Sequence, residues 1–210
     1  MNRLTDVVRH LLIINVIVFL GTMALDIRAI LAAFYPASPF FRPYQIITHM
    51  FMHADFRHLL FNMLMLFFLG PLVEARWGAK RFLSFYLIAG LGALGLDYFV
   101  TYLELNYFGS ANIMQIYGTP MLGASGAVFG VVTAMALLYP NVELYLFFIP
   151  FPIKAKYLIS FYVVAELFLA FSGMQTGIAH WAHLGGALFG AILTLYWNRE
   201  GFGSNFDRWD

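Results

Sequence analysis

Six apolar stretches recur along this 210-residue chain, at roughly 10–25, 56–73, 82–103, 124–139, 156–172 and 178–198. Each approaches the roughly 20 residues that an α-helix needs to cross the hydrocarbon core of a bilayer. With 61% of residues hydrophobic and 11% charged, too little polar surface remains to cover a globule. Lipid must therefore solvate most of the surface, and there the backbone polar groups have to be satisfied internally. The expectation is an all-α polytopic membrane protein, with six transmembrane helices forming one domain over residues 1–210. The first and fourth stretches are short and are expected to extend into their flanks.

The first run follows Arg3 and Arg9 as the core of a signal peptide would. It continues through Asp26 and Arg28 into residues 29–35, a poor cleavage region, and five more apolar stretches follow. A membrane anchor is the better reading. The loop 26–55 carries Phe34, Tyr35, Phe40, Phe41 and Tyr44, and belongs partly in the membrane interface, where aromatic rings are favoured. Pro140, Pro150 and Pro152 mark the connection between the fourth and fifth stretches, because proline cannot continue a helix ladder.

Orientation follows from the basic residues. With a cytoplasmic N-terminus, Arg3, Arg9, Arg76, Lys80, Arg81, Lys154, Lys156, Arg199 and Arg208 fall inside, and only Arg28, Arg42 and Arg57 fall outside. That asymmetry satisfies the positive-inside rule and puts both termini in the cytoplasm. A net charge of +1 with no basic run argues against a nucleic-acid partner. The absence of cysteine excludes disulfides, thiolate catalysis and cysteine-ligated metals.

In this topology the second, fourth and sixth stretches all run from outside to inside. His58 and Asn62 stand in the first turns of the second, Ser125 in the first turn of the fourth, and His183 in the second turn of the sixth. At 1.5 Å rise per residue, each lies within roughly 10 Å of the outer end of its helix. A serine hydroxyl needs a base to become a nucleophile, and His183 is the best candidate. No carboxylate is expected at matching depth on these three helices, and no aspartate is expected to orient the imidazole, so the pair would be a dyad. Phe129, one turn after Ser125 on the same face, can support the ring. His58 and Asn62, spaced i,i+4, project from one face. With the Ser125 backbone N–H at a helix start, they could donate to a developing oxyanion. Gly123 and Gly126 allow close backbone approach around the serine.

Plainer readings exist for each residue. Gly126 with Gly130, and Gly186 with Gly190, match the small-xxx-small spacing of packed membrane helices. Taken alone, a serine between glycines in an apolar run is more often part of such a contact than a nucleophile. His49 and His53 suit structural bridging ahead of metal binding. His180 is an alternative base one turn nearer the surface. Asp97 and Glu166 are intramembrane ionisable residues with no assigned partner.

The residues resemble those of the rhomboid family of intramembrane serine proteases. His53-Ala-Asp-Phe-Arg-His58-Leu-Leu-Phe-Asn62 resembles its HxxxxHxxxN motif, and Glu74-Ala-Arg76-Trp-Gly78 its ExRxG motif. Gly123-Ala-Ser125-Gly126 resembles GxSG, and Ala182-His183-Leu-Gly-Gly186-Ala the final-helix histidine motif with its glycines. The resemblance implies a Ser125–His183 dyad that attacks transmembrane protein substrates near the outer face. It also implies an oxyanion hole from His58, Asn62 and the Ser125 N–H, His53 fastening the first loop, and Glu74 and Arg76 bracing the cytoplasmic side. It further implies a water-filled cavity opening outward, substrate arriving laterally past the fifth helix, no metal, no organic cofactor and a prokaryotic plasma membrane. Two positions depart from the family pattern: Tyr44-Gln45 replaces a common Trp-Arg, and Phe129 replaces a frequent tyrosine. The competing functions are a non-catalytic escort of membrane proteins and a histidine-based metal or haem protein built on His49, His53, His58 and His180.

Overall fold

A computed structural model describes residues 4–25, 27–108, 112–145, 151–172 and 178–199; Arg3, Asp26, Pro150 and Arg208 lie outside the described residues. Helix α1 (Asp6–Ala24) leads through the short α2 (Arg28–Leu31) and α3 (Gln45–Thr48), which tightens into a 3₁₀ turn over His49–Phe51. Then come α4 (Phe56–Trp77), α5 (Ala79–Leu103) with a π-helical turn at Glu104–Phe108, and the short α6 (Ile113–Gly118). Helices α7 (Ser125–Leu138), α8 (Ala155–Ser172) and α9 (His180–Arg199) complete the chain.

Helices thus stand on all six apolar stretches. Four of them, among the described residues, are long and apolar enough to cross a membrane: α1, α4, α5 with its π turn, and α8. Helix α9 has the length, but His180, His183 and its glycines dilute its apolarity. The expected extension of the first stretch occurs, since α1 starts at Asp6. The fourth does not extend. Gly123, with φ of +133°, breaks the backbone just before α7, and Tyr139 and Pro140 end it after 14 residues. The all-helical expectation holds, with one short strand pair between two of the helices. The α7–α8 connection holds an antiparallel pair, β1 (Glu143–Leu144) and β2 (Ile153–Lys154), with Glu143 opposite Lys154.

Helix α7 sits at the centre. Ten of its 14 residues are buried, against α4, α5, α8 and α9. Small residues let α5, α7 and α9 meet backbone to backbone. A Cβ added at Gly186 would collide with the Gly126 carbonyl, and one at Gly190 would lie 2.6 Å from the Gly130 Cα. One at Gly185 would lie 2.9 Å from both the Ala93 Cα and the Gly92 oxygen. The outward faces are apolar and exposed, as with Ile13, Ile17 and Leu20 on α1 and Phe161, Phe168 and Phe171 on α8.

The far end of α4 fastens α1. The buried Glu74 carboxylate accepts from Thr5 Oγ1 at 2.6 Å, Val7 N at 3.0 Å and Val8 N at 2.9 Å. An acid there satisfies otherwise orphaned N–H groups and complements the helix dipole. Two residues after Arg76, Gly78 turns the chain from α4 into α5 with φ of +79°, and its N–H bonds the Glu74 carbonyl at 2.7 Å. Val8 is fully buried, so water cannot replace the lost acceptor. Glu74→Ala is expected to destabilise the protein by about 1–3 kcal/mol, the cost of leaving a buried donor unsatisfied. Thermal unfolding in detergent would read this as a lowered midpoint.

Candidate active site

The first loop holds the segment that leads into α7. Ala33 and Met121 exchange backbone hydrogen bonds of 2.8 and 2.7 Å, Ser38 Oγ donates to the Tyr117 carbonyl at 2.8 Å, and Tyr98 Oη donates to the Phe34 carbonyl at 2.6 Å. Gln45, at one of the two departures from the family pattern, anchors the loop internally. Its amide donates to Ile30 O at 3.1 Å and Phe40 O at 3.2 Å, while its oxygen accepts from Arg42 N at 2.9 Å. His49 is buried. Its Nδ1 donates to the Gln45 carbonyl at 2.9 Å, and its own carbonyl accepts from Gly123 N at 2.9 Å. The loop therefore sets the position of the glycine two residues before Ser125.

Burial lowers the His49 pKa to about 4. Burial, and then the neighbouring His58 ring, lower that of His53 to about 3. His53 has no exposed surface and meets His58 edge to face at 5.0 Å; the Phe51 carbonyl lies near its ring, outside hydrogen-bonding geometry. Both folded-state values lie below the ordinary 6.5, so the unfolded chain binds more protons in the interval between. Stability contributed by these neutral rings is full above about pH 6.5 and declines as pH falls toward 4 and then 3. Unfolding midpoints measured from pH 7.5 to 4.5 should fall on acidification, and His49→Asn should flatten that fall. Among the described residues, no group of three or more His, Asp or Glu side chains is arranged to hold a metal ion.

Ser125 is the first residue of α7, and its preceding residue, Ala124, provides no side-chain cap. Its backbone N–H is one of the orphan donors at the helix start. A cavity of about 690 Å³ opens beside it, lined by Ser125, Phe129, His58, Asn62, Tyr162 and His183, among others. Gly123 fits between two of these groups. A Cβ there would stand 2.9 Å from His58 Nε2 and 3.4 Å from Ser125 Oγ. His58 Nδ1 accepts a long contact from Ala54 N, at 3.4 Å, which leaves the proton on Nε2. Asn62 spends one amide N–H on the His58 carbonyl at 2.8 Å and retains a second.

His183 stacks on Phe129, with centroids 4.3 Å apart and planes 13° apart, so the tyrosine hydroxyl missing at this position is not needed for ring support. Phe129 is itself met edge-on by Tyr162 at 6.3 Å. Glu166, which the sequence left without a partner, has two in the structure. Glu166 of α8 bonds His183 Nδ1 at 2.9 Å through one oxygen and His180 Nδ1 at 2.5 Å through the other. His180, weighed as an alternative base, is buried behind the site and does not line the cavity. The signal for Glu166 was available. Helix α8 runs opposite to α9, and Glu166 lies six residues before its final Ser172, about 9 Å from that end. A depth match among helices of one direction leaves out α8, so it gives this carboxylate no partner. Asp97, on α5, does not line the cavity.

Residues 41–200 match the family described as Rhomboid domain. The chain is 30% identical over 156 residues to the rhomboid protease AarA of Providencia stuartii, covering 70% of this chain and 53% of that protein. It is 33% identical over 167 residues to the mitochondrial RHOMBOID-like protein 12 of Arabidopsis thaliana, covering 75% and 46% respectively. With the mitochondrial rhomboid protein 1 of Saccharomyces cerevisiae it shares 32% identity over 152 residues, 72% of this chain and 41% of the other. The chain spans about half the length of the curated relatives it matches. With a domain match over most of its residues and helices apolar enough to cross a bilayer, this integral membrane protein belongs to the rhomboid family.

Proposed function

We propose that this protein is a serine endopeptidase that hydrolyses peptide bonds in or near transmembrane segments of other membrane proteins. The observation that carries this reading is the shared cavity. Ser125, at a helix start, and His183, held flat against Phe129, line it together with His58 and Asn62. His183 Nδ1 is engaged, so Nε2 is the nitrogen left to act on Ser125. In the proposed reaction, His183 Nε2 takes the proton of Ser125 Oγ as the oxygen bonds the scissile carbonyl carbon. The His58 Nε2–H, the second Asn62 amide N–H and the Ser125 backbone N–H donate to the resulting oxyanion. Collapse breaks the C–N bond, and His183 returns its proton to the leaving amine. Water then attacks the acyl-serine by the same route and frees the new carboxylate.

Gly123, Gly126 and Gly186 keep the serine loop and the α7–α9 contact close enough for this arrangement. His53 is assigned to the loop beneath His58, and Glu74 with Arg76 to bracing the opposite end of α4. The proposed topology has six membrane helices, cytoplasmic termini and a cavity that opens outward. At 14 residues, α7 spans about 21 Å, short of a ~30 Å hydrocarbon core, so a helix buried among longer neighbours can start within the membrane thickness. The proposed setting is a prokaryotic plasma membrane. Matched relatives include both bacterial and mitochondrial proteins, so similarity alone selects membrane residence without selecting the membrane. The test compares purified wild type with Ser125→Ala and His183→Ala, using a model transmembrane substrate and a serine-directed fluorophosphonate probe. A wild type that binds membrane proteins without cutting them or labelling would favour the escort reading instead.

A further inference from the structure

We propose that Glu166 is a positioning residue for His183, making the reactive pair a carboxylate-supported site held together by α8. This inference rests on the protease reading of the same site. A carboxylate offers two oxygens, and here each meets the Nδ1 of a different imidazole on α9, His180 at 2.5 Å and His183 at 2.9 Å. An ionised carboxylate only accepts, so both rings carry their proton on Nδ1. Even a protonated carboxyl could donate through only one oxygen and would still require one Nδ1–H. The consequence for His183 is specific. Its Nε2 is left as a lone-pair nitrogen, the tautomer required of a base toward Ser125 Oγ. When that base takes the proton, the resulting imidazolium lies against a negative oxygen.

The placement is built, not incidental. His180 and His183 are one helical turn apart and project to the same side of α9. Glu166 and His180 are buried, and the side chain of His183 is only 12% exposed, so water competes weakly for these bonds. His180 holds the second oxygen and so limits rotation of the carboxylate away from His183. Phe129 meanwhile fixes the ring plane, at 13° to its own. Plane and edge are thus set by two different helices, α7 and α8. A deprotonated glutamate in apolar surroundings also needs both donors. The clamp therefore gives α8 a preferred seat against α9, although few of the α8 side chains are buried.

Among the described residues, the titratable and charged groups around His183 are Glu166 and Tyr162 on α8, His180 on α9, and His58, Arg57 and the Asp55 cap on α4. Helices α5 and α7 add no charged side chain to the cavity lining.

The experiment uses the full chain in nanodiscs. In wild type, ¹⁵N NMR of the His183 imidazole is expected to report Nδ1–H with an unprotonated Nε2. Glu166→Gln is expected to lower kcat for a transmembrane substrate by about 10²–10⁴-fold, the upper figure being the loss when the orienting carboxylate of a triad protease becomes an amide. KM should stay within a few-fold. The acid limb of its kcat/KM profile should move about one unit or more toward lower pH, because the negative charge no longer favours the imidazolium. Glu166→Asp should recover part of the rate, which a merely structural defect would not predict. His180→Gln should cost about three- to tenfold by freeing the second oxygen, the fold-change that corresponds to the net worth of one hydrogen bond. A wild-type His183 with its proton on Nε2 would overturn the proposal. So would a Glu166→Gln enzyme within threefold of wild type with an unmoved acid limb. Should Glu166→Gln not fold, the wild-type tautomer and Glu166→Asp decide. Should wild type neither cleave nor label, the protease reading fails, and the tautomer measurement still decides this one.

Discussion

Ser125→Ala is expected to abolish both probe labelling and cleavage of a transmembrane substrate while leaving the helical fold intact. The hydroxyl is the group proposed to bond the carbonyl carbon, and no second hydroxyl nucleophile lines the cavity within the same helix turn. In a triad protease, removing the nucleophile lowers kcat by about 10⁶-fold. A loss of at least about 10³-fold is expected here. His183→Ala should fall to the same floor, and the double variant no further, because the two residues act as one unit. Alanine at 125 is a good helix former at the first position of α7 and removes no capping bond, so the unfolding midpoint should hardly move. Cleavage by the variant at more than about a tenth of the wild-type rate would be incompatible with Ser125 as nucleophile.

Gly186→Val is expected to be the most damaging single change to the fold. The first atom of any side chain at 186 would lie inside the Gly126 carbonyl group and 3.1 Å from the Gly126 Cα. These are backbone atoms of α7, so no rotamer change relieves the collision, and the two helices must separate. Overpacked cores typically lose 1–3 kcal/mol, and here the intruded atoms cannot yield, so a loss of at least about 3 kcal/mol is expected. Separating α7 from α9 also draws Ser125 away from His183. Gly186→Val should therefore lose folded yield in detergent and also lose probe labelling in whatever folded fraction survives. Gly95→Ala provides the control: nothing lies within 4 Å of a Cβ there, so its midpoint should match or exceed wild type. Equal midpoints for Gly186→Val and Gly95→Ala would refute the backbone-contact account.

Much of the architecture was legible in the chain because lipid imposes a length and an apolarity on any helix facing it. The positions of α1, α4, α5 and α8 follow from that constraint alone. Helix α7 was legible only in part. Its apolar residues are buried by protein on nearly every side, so the requirement for a full bilayer span does not apply to it, and Gly123 halts it where a longer helix was expected. The residue types around the cavity were also legible, since Ser125, His183, His58 and Asn62 share a depth when counted along helices of one direction. The Tyr44-Gln45 departure gave no hint of its remedy. Gln45 works by bonding Ile30 and Phe40 within its own loop, a local closure that a distant sequence pattern does not reveal.

Sequence by itself determined that this protein is helical and membrane-solvated, and placed the side chains proposed to react near the starts of their helices. Apolar length and helical periodicity are properties of single segments, and each can be counted without knowing its neighbours. Only the tertiary structure decided that Glu166 reaches across to His180 and His183, that Phe129 lies flat on His183, and that Gly186 touches the backbone of Gly126. Those contacts join residues from different helices, and their geometry depends on rotation and separation of the helices. Short-range patterns carry the depth of a residue in the membrane, whereas the azimuth that turns matching depths into a bonded site is set by how the helices close around one another.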